Sequence, residues 1–192
     1  MQVVNIIGEP GSGKSVTAAG LFYELSVGGH RVEVIPEVGK GYAWETPRDI
    51  QSGKPLSHPI FSQQIFLLGE QNRGLERVMG KRDIAIMECP LIMMAVYAPK
   101  KYFNSFESLV LEQFNYYNNI NIVLERNHAF DQDGRVHSES ESGEIKRCML
   151  NFLEKYKIPH HKMQTHPEIH KEIKDLLVNQ YLPTKNHTNF LF

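Results

Sequence analysis

The residues Gly8-Glu9-Pro10-Gly11-Ser12-Gly13-Lys14-Ser15 meet the spacing G-x-x-x-x-G-K-[ST] in full. Glycines so placed let a backbone curl until successive N–H groups converge, and a following helix adds the positive end of its dipole. The chemistry this suits is the holding of a polyphosphate. Lys14 is positioned to reach the β- and γ-phosphates, and the Ser15 hydroxyl to sit on Mg²⁺. Gly8, Glu9, Pro10, Gly11, Ser12, Gly13, Lys14, Ser15 and Val16 therefore form the expected nucleotide cradle, with ATP as nucleotide and Mg²⁺ as metal. The apolar run Val3-Val4-Asn5-Ile6-Ile7 precedes the loop and a helix-compatible run, Val16 to Val27, follows it. That strand–loop–helix setting separates a phosphate loop from a chance Gly-rich turn.

Two acids stand where a metal and a phosphate acceptor would need them. Glu88 closes the apolar run Ile84-Ala85-Ile86-Met87. A carboxylate at the end of a buried strand beside a P-loop holds Mg²⁺ directly or through water. The alternative is a strand-end acid facing solvent. Glu37 closes an earlier run, inside Pro36-Glu37-Val38-Gly39-Lys40-Gly41-Tyr42. If the two strands are neighbours, both carboxylates meet near the γ-phosphate. A hydroxyl nucleophile titrates far above neutrality and gains from a general base within hydrogen-bond reach. Glu37 either takes that role, hydrogen-bonds a sugar hydroxyl without taking its proton, or is a surface-loop acid.

The polar stretch 126–143 contains Arg126-Asn127-His128 and Asp133-Gly134-Arg135. Small P-loop kinases carry a mobile lid at this place, whose arginines close over the phosphates and exclude water. Arg126 and Arg135 are the expected catalytic cations, and Arg147 on the next helix is a further nucleotide contact. Each is otherwise a solvated charge. Between the second and third strands lie Lys40, Tyr42, Trp44, Phe61, Gln63, Gln64 and Arg73. Aromatic and amide groups here suit the stacking and reading of an acceptor ring; core packing for Phe61 and a surface place for the glutamines are the alternatives.

Other features carry less. His166 and His170, four apart on an expected helix, lack the Cys or paired acid of a zinc site and read as a solvated face. Cys89 reads as a small buried residue, and Ser138-Glu139-Ser140-Glu141-Ser142 as a solvated part of the lid. Asp131-Gln132-Asp133-Gly134 mimics the GTPase D-x-x-G string but follows the fourth strand, and no N-K-x-D string is present.

The elements that position these groups alternate in type. Strands are expected over 2–7, 31–35, 83–88, 120–124 and, weakly, 161–164. Helices are expected over 14–27, 60–79, 105–117, 144–156 and 167–180, with Ile60, Ile65, Leu67, Leu68, Leu75 and Val78 as core contacts of the second. Such alternation predicts a parallel sheet covered on both faces, with ligands beyond the carboxyl ends of its strands. The 192 residues fit one domain, 1–182, with a lid near 126–143 and a polar tail over 183–192. The 21 basic and 22 acidic residues exclude a strongly basic nucleic-acid binder, though not a local basic patch. No apolar run approaches the roughly 18 residues of a membrane span. The two cysteines have no metal or redox spacing and no signal peptide precedes the first strand, so a reduced, cytoplasmic compartment is expected.

The order of P-loop, Pro36-to-Tyr42, Gln63/Gln64, Glu88, Leu124-Glu125-Arg126 and Asp133-Gly134-Arg135 resembles the NadR-type ribosylnicotinamide kinase domain. Lys146-Arg147-Cys148-Met149-Leu150-Asn151-Phe152-Leu153 also fits that family, so the resemblance covers nearly the whole chain. It implies that Glu37 is the general base and that Gln63 or Gln64 reads the acceptor base, as in related deoxynucleoside kinases. The chain departs from these relatives in having Glu88-Cys89-Pro90 after the third strand. It also lacks an adenylyltransferase domain and a helix-turn-helix. Stand-alone members of this broad group occur in bacteriophages, which would place the protein in host cytoplasm.

The resulting expectation is an α/β, three-layer P-loop NTPase of nucleoside- and nucleotide-kinase type, with a parallel sheet of about five strands. It moves the γ-phosphate of ATP to a hydroxyl of a nucleoside-like small molecule. A hydroxymethylated pyrimidine in DNA is the second acceptor, with Lys40, Lys54, Lys100 and Lys101 as the visible basic flanks. An ATPase regulator or switch without a small-molecule acceptor is the third reading. The sequence leaves the oligomeric state open.

Overall fold

The apolar runs become the strands of a single parallel sheet in the computed structural model, which describes residues 1–45, 62–131 and 137–182, with backbone alone for 43–45. The elements follow as β1 (Gln2–Ile7), α1 (Lys14–Val27), β2 (Val32–Ile35), α2 (Val38–Glu45), α3 (Gln64–Val78) and β3 (Ile84–Met87). Then come α4 (Ile92–Tyr97), α5 (Phe106–Asn115), β4 (Asn118–Glu125), α6 (Glu139–Lys155), β5 (His161–Gln164) and α7 (Ile169–Gln180). The strand order is β2-β3-β1-β4-β5, every pairing parallel.

Alternation along β1 builds the layers. Val3 and Ile7 enter one core with Leu67, Leu75, Ile92, Val110, Phe114 and Phe152, from α3 to α6. Val4 and Ile6 face the other, with Ala18, Leu21 and Leu25 of α1 and Ile169, Ile173 and Leu177 of α7. Each fully buried Leu, Ile or Val contributes about 1.5–3 kcal/mol relative to exposure. The fold is thus α/β in three layers.

Asn5 breaks the apolar run. It is fully buried, and its Nδ2 donates to Asn119 Oδ1 at 2.8 Å and Asn121 Oδ1 at 2.9 Å on the neighbouring strand. Asn119 in turn donates to the Phe114 carbonyl, and Asn121 to that of Pro159. Asn5 Nδ2 and the amides of Asn119 and Asn121 thus bond inside the sheet, so their burial is compensated.

Several expectations need correction. The segment 138–142 is not a solvated lid loop, because α6 begins at Glu139. Ser138 and Glu141 form a reciprocal capping box, a signature present in the sequence as S-x-x-E. Ile65, expected in the core, is exposed. The buried stripe of α3 runs Gln64, Leu67, Leu68, Gln71, Gly74, Leu75, so two glutamines take positions that apolar counting passes over. α2 and α4 have no counterpart in the expected elements: Gly39 and Gly41 disguise the first, and uniform apolarity between Pro90 and Pro99 the second. His166 and His170 do not share a helical face, because α7 starts only at Ile169. Lys54, Ile60, Phe61, Asp133, Gly134, Arg135, the Trp44 side chain and the 183–192 tail lie outside the described residues.

Gly74 allows α3 to lie tightly against β2, since a Cβ there would stand 2.7 Å from Ile35 Cγ2. Gly69, on the same helix, has nothing within 4 Å of its would-be Cβ. The two alanine substitutions should have opposite signs in urea denaturation. Gly74→Ala destabilises by about 1–3 kcal/mol through overpacking, and Gly69→Ala stabilises by up to about 1 kcal/mol through helix propensity.

Candidate active site

The loop between β1 and α1 lies at the carboxyl edge of the sheet's middle strand. Gly11 and Gly13 have φ of 85° and 83°, the left-handed region that side chains disfavour. A Cβ on Gly8 would stand 2.3 Å from Ser12 Oγ, so a side chain there would displace the Ser12 hydroxyl from its place in the loop. No side chain caps the N-terminus of α1, and the buried Ser12 Oγ has no partner among the described residues. Uncapped N–H groups around an open concavity fit a phosphate chain. Lys14 Nζ donates to the carbonyls of Gly8 at 2.9 Å and Glu9 at 3.1 Å, which leaves one of its three protons for an anion.

Because β3 lies directly beside β1, Glu88 at its end meets the first residues of α1. Ser15 Oγ donates to Glu88 Oε2 at 3.0 Å, and Lys40 Nζ from α2 donates to Ser15 Oγ at 3.1 Å. A hydroxyl and a carboxylate this close are hard oxygen donors of the kind Mg²⁺ takes. The expected metal pair is thus brought together, with a lysine from the opposite wall beside it.

Glu37 follows Pro36 at the end of β2, the strand next to β3, so the two acids stand at the same edge of the sheet. Cys89, buried just after Glu88, registers the crowding: its thiol is pushed well above the usual range, by burial first and then by the charges of Glu37 and Glu88, with Lys14 opposing. The Tyr97 phenol at the end of α4 is likewise raised, by burial and then by Glu37. His137, stacked on Tyr97 with ring centroids 6.2 Å apart, is held below its ordinary value chiefly by burial. Lys14, Glu37, Glu88, Cys89, Tyr97 and His137 therefore share one electrostatic neighbourhood. Tyr97 and His137 were not expected there; α4, which carries Tyr97, has no sequence period to reveal it.

The remaining candidates are more dispersed. Arg126 is mostly buried, with Nη2 3.4 Å from Glu139 Oε1 and its guanidinium 5.1 Å above the Phe130 ring. Its buried Nη1 has no partner among the described residues. Arg147 is exposed on α6. Tyr42 meets Phe66 edge to face at 6.3 Å, Gln63 is exposed before α3, and Gln64 is buried. Arg73 is exposed and pairs with Glu70, and Lys100 and Lys101 lie exposed after α4.

On the other side of the P-loop a second cleft of about 460 Å³ opens, lined by Gly13, Val16, Thr17, Asn127, His128, Thr165, His166 and Ile169. Thr165 builds its floor: its hydroxyl donates to the Glu125 carbonyl and accepts from the Asn127 N–H, tying the ends of β5 and β4. Apart from Gly13 and Val16, this lining was not anticipated, because it forms only where two loops distant in sequence converge.

The family model of an AAA domain, AAA_28, matches residues 3–169. The chain belongs to this AAA domain family. Among curated proteins no sequence matches. Among solved structures the domain is similar to NadR protein in complex with NR, at 15% identity and a TM-score of 0.69. NadR protein with NAD and AMP-PNP gives 14% and 0.67. The two alignments cover 98% of this chain and 54% and 52% of NadR, so the AAA domain spans about half the length of those proteins. Thymidylate kinase from Ehrlichia chaffeensis matches at 12% identity and a TM-score of 0.61, covering 92% of this chain and 98% of the kinase. Deoxyadenosine kinase from M. mycoides matches at 16% and 0.55, covering 94% and 98%. The AAA domain thus has a fold of the nucleoside- and nucleotide-kinase kind. Among the described residues no helix is long and apolar enough to cross a membrane.

The two cysteines should differ sharply towards iodoacetamide at about pH 8, since alkylation requires thiolate. Cys148 is exposed, whereas Cys89 is buried with its thiol raised. Peptide mass spectrometry of the native protein is expected to find Cys148 modified and Cys89 intact until denaturant is added.

Proposed function

We propose that this AAA domain is an ATP-dependent phosphotransferase that moves the γ-phosphate to a hydroxyl of a nucleoside-like small molecule. The observation that supports it best is the second acid, Glu37, just past the end of the strand next to β3, its charge acting on Cys89 together with those of Lys14 and Glu88. Binding a triphosphate calls only for the loop, its lysine and a metal acid. A further acid, near enough for its charge to act on Tyr97 and His137, suits a hydroxyl acceptor. The ligands named for the NadR structures, and the kinase activities named for the other two relatives, agree with this reading.

In the proposed reaction the P-loop N–H groups and Lys14 hold the donor phosphates in line with the acceptor. Mg²⁺ held by Ser15 and Glu88 would supply charge neutralisation on the phosphate oxygens. Glu37 orients the acceptor hydroxyl and takes its proton as the new O–P bond forms and the bond to the β,γ-bridging oxygen breaks. Arg126, whose Nη1 lacks a partner among the described residues, would turn towards the transferring group as the lid region closes. The 460 Å³ cleft beside Val16 and Thr165 would hold the donor's base.

The deciding experiment is incubation with γ-labelled ATP and separate panels of nucleosides, including ribosylnicotinamide, and of DNA containing hydroxymethylated pyrimidines. Label in a small molecule is expected. Label in polymer would move the acceptor to DNA, and phosphate release without any acceptor would leave an ATPase switch in its place. Lys14→Ala should abolish transfer. Glu37→Gln should keep ATP affinity within about twofold while lowering kcat about 10²-fold, the range for a lost general base. Val16 is 77% exposed, so Val16→Trp should fold normally. By filling the donor cleft it should raise KM for ATP about tenfold and leave the acceptor KM unchanged.

A further inference from the structure

We propose that Gln71 is a positioning residue for Glu37, a role resting on the reading of Glu37 as the acceptor acid. Gln71 lies on the buried stripe of α3 and is 1% exposed. An amide buried that deeply is costly unless both its ends are bonded. Here both are: Oε1 accepts from the Val38 N–H at 3.0 Å, and Nε2 donates to the Pro36 carbonyl at 3.0 Å. Those are the peptide groups on either side of Glu37. Turned over, the amide would set N–H against N–H and oxygen against oxygen, so one orientation satisfies the pair.

The two bonds fall where the backbone cannot satisfy itself. β2 ends at Ile35 and α2 begins at Val38, so Pro36 C=O has left the ladder and Val38 N–H is an orphan of the first helical turn. Gln71 caps α2 from another helix while closing the end of β2. The Glu37 carbonyl is engaged as well, accepting from Lys40 N–H at 3.3 Å. The backbone at Glu37 is thereby fixed from both sides, and its side chain starts from a defined origin. Gly74, one turn further along α3, permits the close approach to β2 on which both bonds depend. Both hydrogen bonds of the Gln71 amide end on this corner, and they support position rather than contact with the reacting atoms. A misplacement of about 1 Å in a catalytic group costs about 10²-fold in rate, so such a clamp has a kinetic signature.

The test measures transfer from γ-labelled ATP to ribosylnicotinamide, or to whichever panel nucleoside takes most label. It compares wild type, Gln71→Leu, Gln71→Glu, Glu37→Gln and the Glu37→Gln/Gln71→Leu double variant. Gln71→Leu is expected to lower kcat at least about tenfold with KM for ATP within about twofold. In the Glu37→Gln background the same change should cost less than about twofold, because the two residues act as one unit. In Gln71→Glu the carboxylate cannot donate to Pro36, but the protonated acid both accepts and donates. Its deficit relative to wild type should therefore shrink as pH falls from about 8 to about 6. That arm decides the matter if Gln71→Leu fails to fold by circular dichroism. Unchanged kcat in the folded variants, or an equal fold-loss with and without Glu37, would overturn the assignment. Full transfer by Glu37→Gln alone would instead remove the acceptor-acid reading on which it rests.

Discussion

The middle strand of this domain has no solvent face, and the placement of the site depends on that. β1 is covered by helices on both sides and flanked by β3 and β4, so its side chains are committed to packing. Polar chemistry is pushed to the strand ends. At the carboxyl edge the chain leaves β1 through the P-loop and leaves β3 through Glu88, about 4.8 Å away by strand spacing. The Ser15–Glu88 hydrogen bond follows from that adjacency.

The same rule governs the few polar groups that do stay inside. Asn5 Nδ2, both ends of the Gln71 amide and the Nδ2 groups of Asn119 and Asn121 meet partners at hydrogen-bond distance, and those partners are backbone or amide groups that cannot ionise. The ionisable groups instead gather where β2, β3 and the P-loop end together. Their mutual influence is legible in Cys89 and Tyr97, both raised by burial and by the same Glu37. Burial beside these acids strengthens each electrostatic contact made there.

How much of this was legible in the sequence depends on whether the signal was local. The P-loop, the strand ends at Glu37 and Glu88, and the alternation that makes the sheet parallel are written in short contiguous strings, and the fold agrees with them. What was missed is non-local or disguised. Glycines hid α2, whose first N–H is satisfied by a side chain 33 positions away. Uniform apolarity hid α4 and with it Tyr97. Gln71 broke no visible rule, yet it sits on a buried stripe where only its two distant partners justify it. Thr165 and Asn127 build the 460 Å³ cleft beside Val16 through a hydrogen bond across 38 positions. The capping box at Ser138 was local and readable, and the acidic composition around it obscured it.

One feature of the P-loop follows from the same electrostatics. Glu9 places a carboxylate, 3% exposed, inside a loop shaped to receive a polyanion. Left alone it would repel the donor phosphates. Lys146 of α6 reaches Glu9 Oε1 at 3.5 Å, and Ser142 one turn earlier donates to the Pro10 carbonyl at 2.8 Å. α6 is thus bound to the back of the phosphate loop at two points, and one of them cancels the loop's own charge. The helix that carries His137 and Ser138 at its entrance is also the helix that makes the cradle hospitable to anions. The phosphate loop therefore leans on α6 at two points, so a displacement of α6 would be felt directly by the loop.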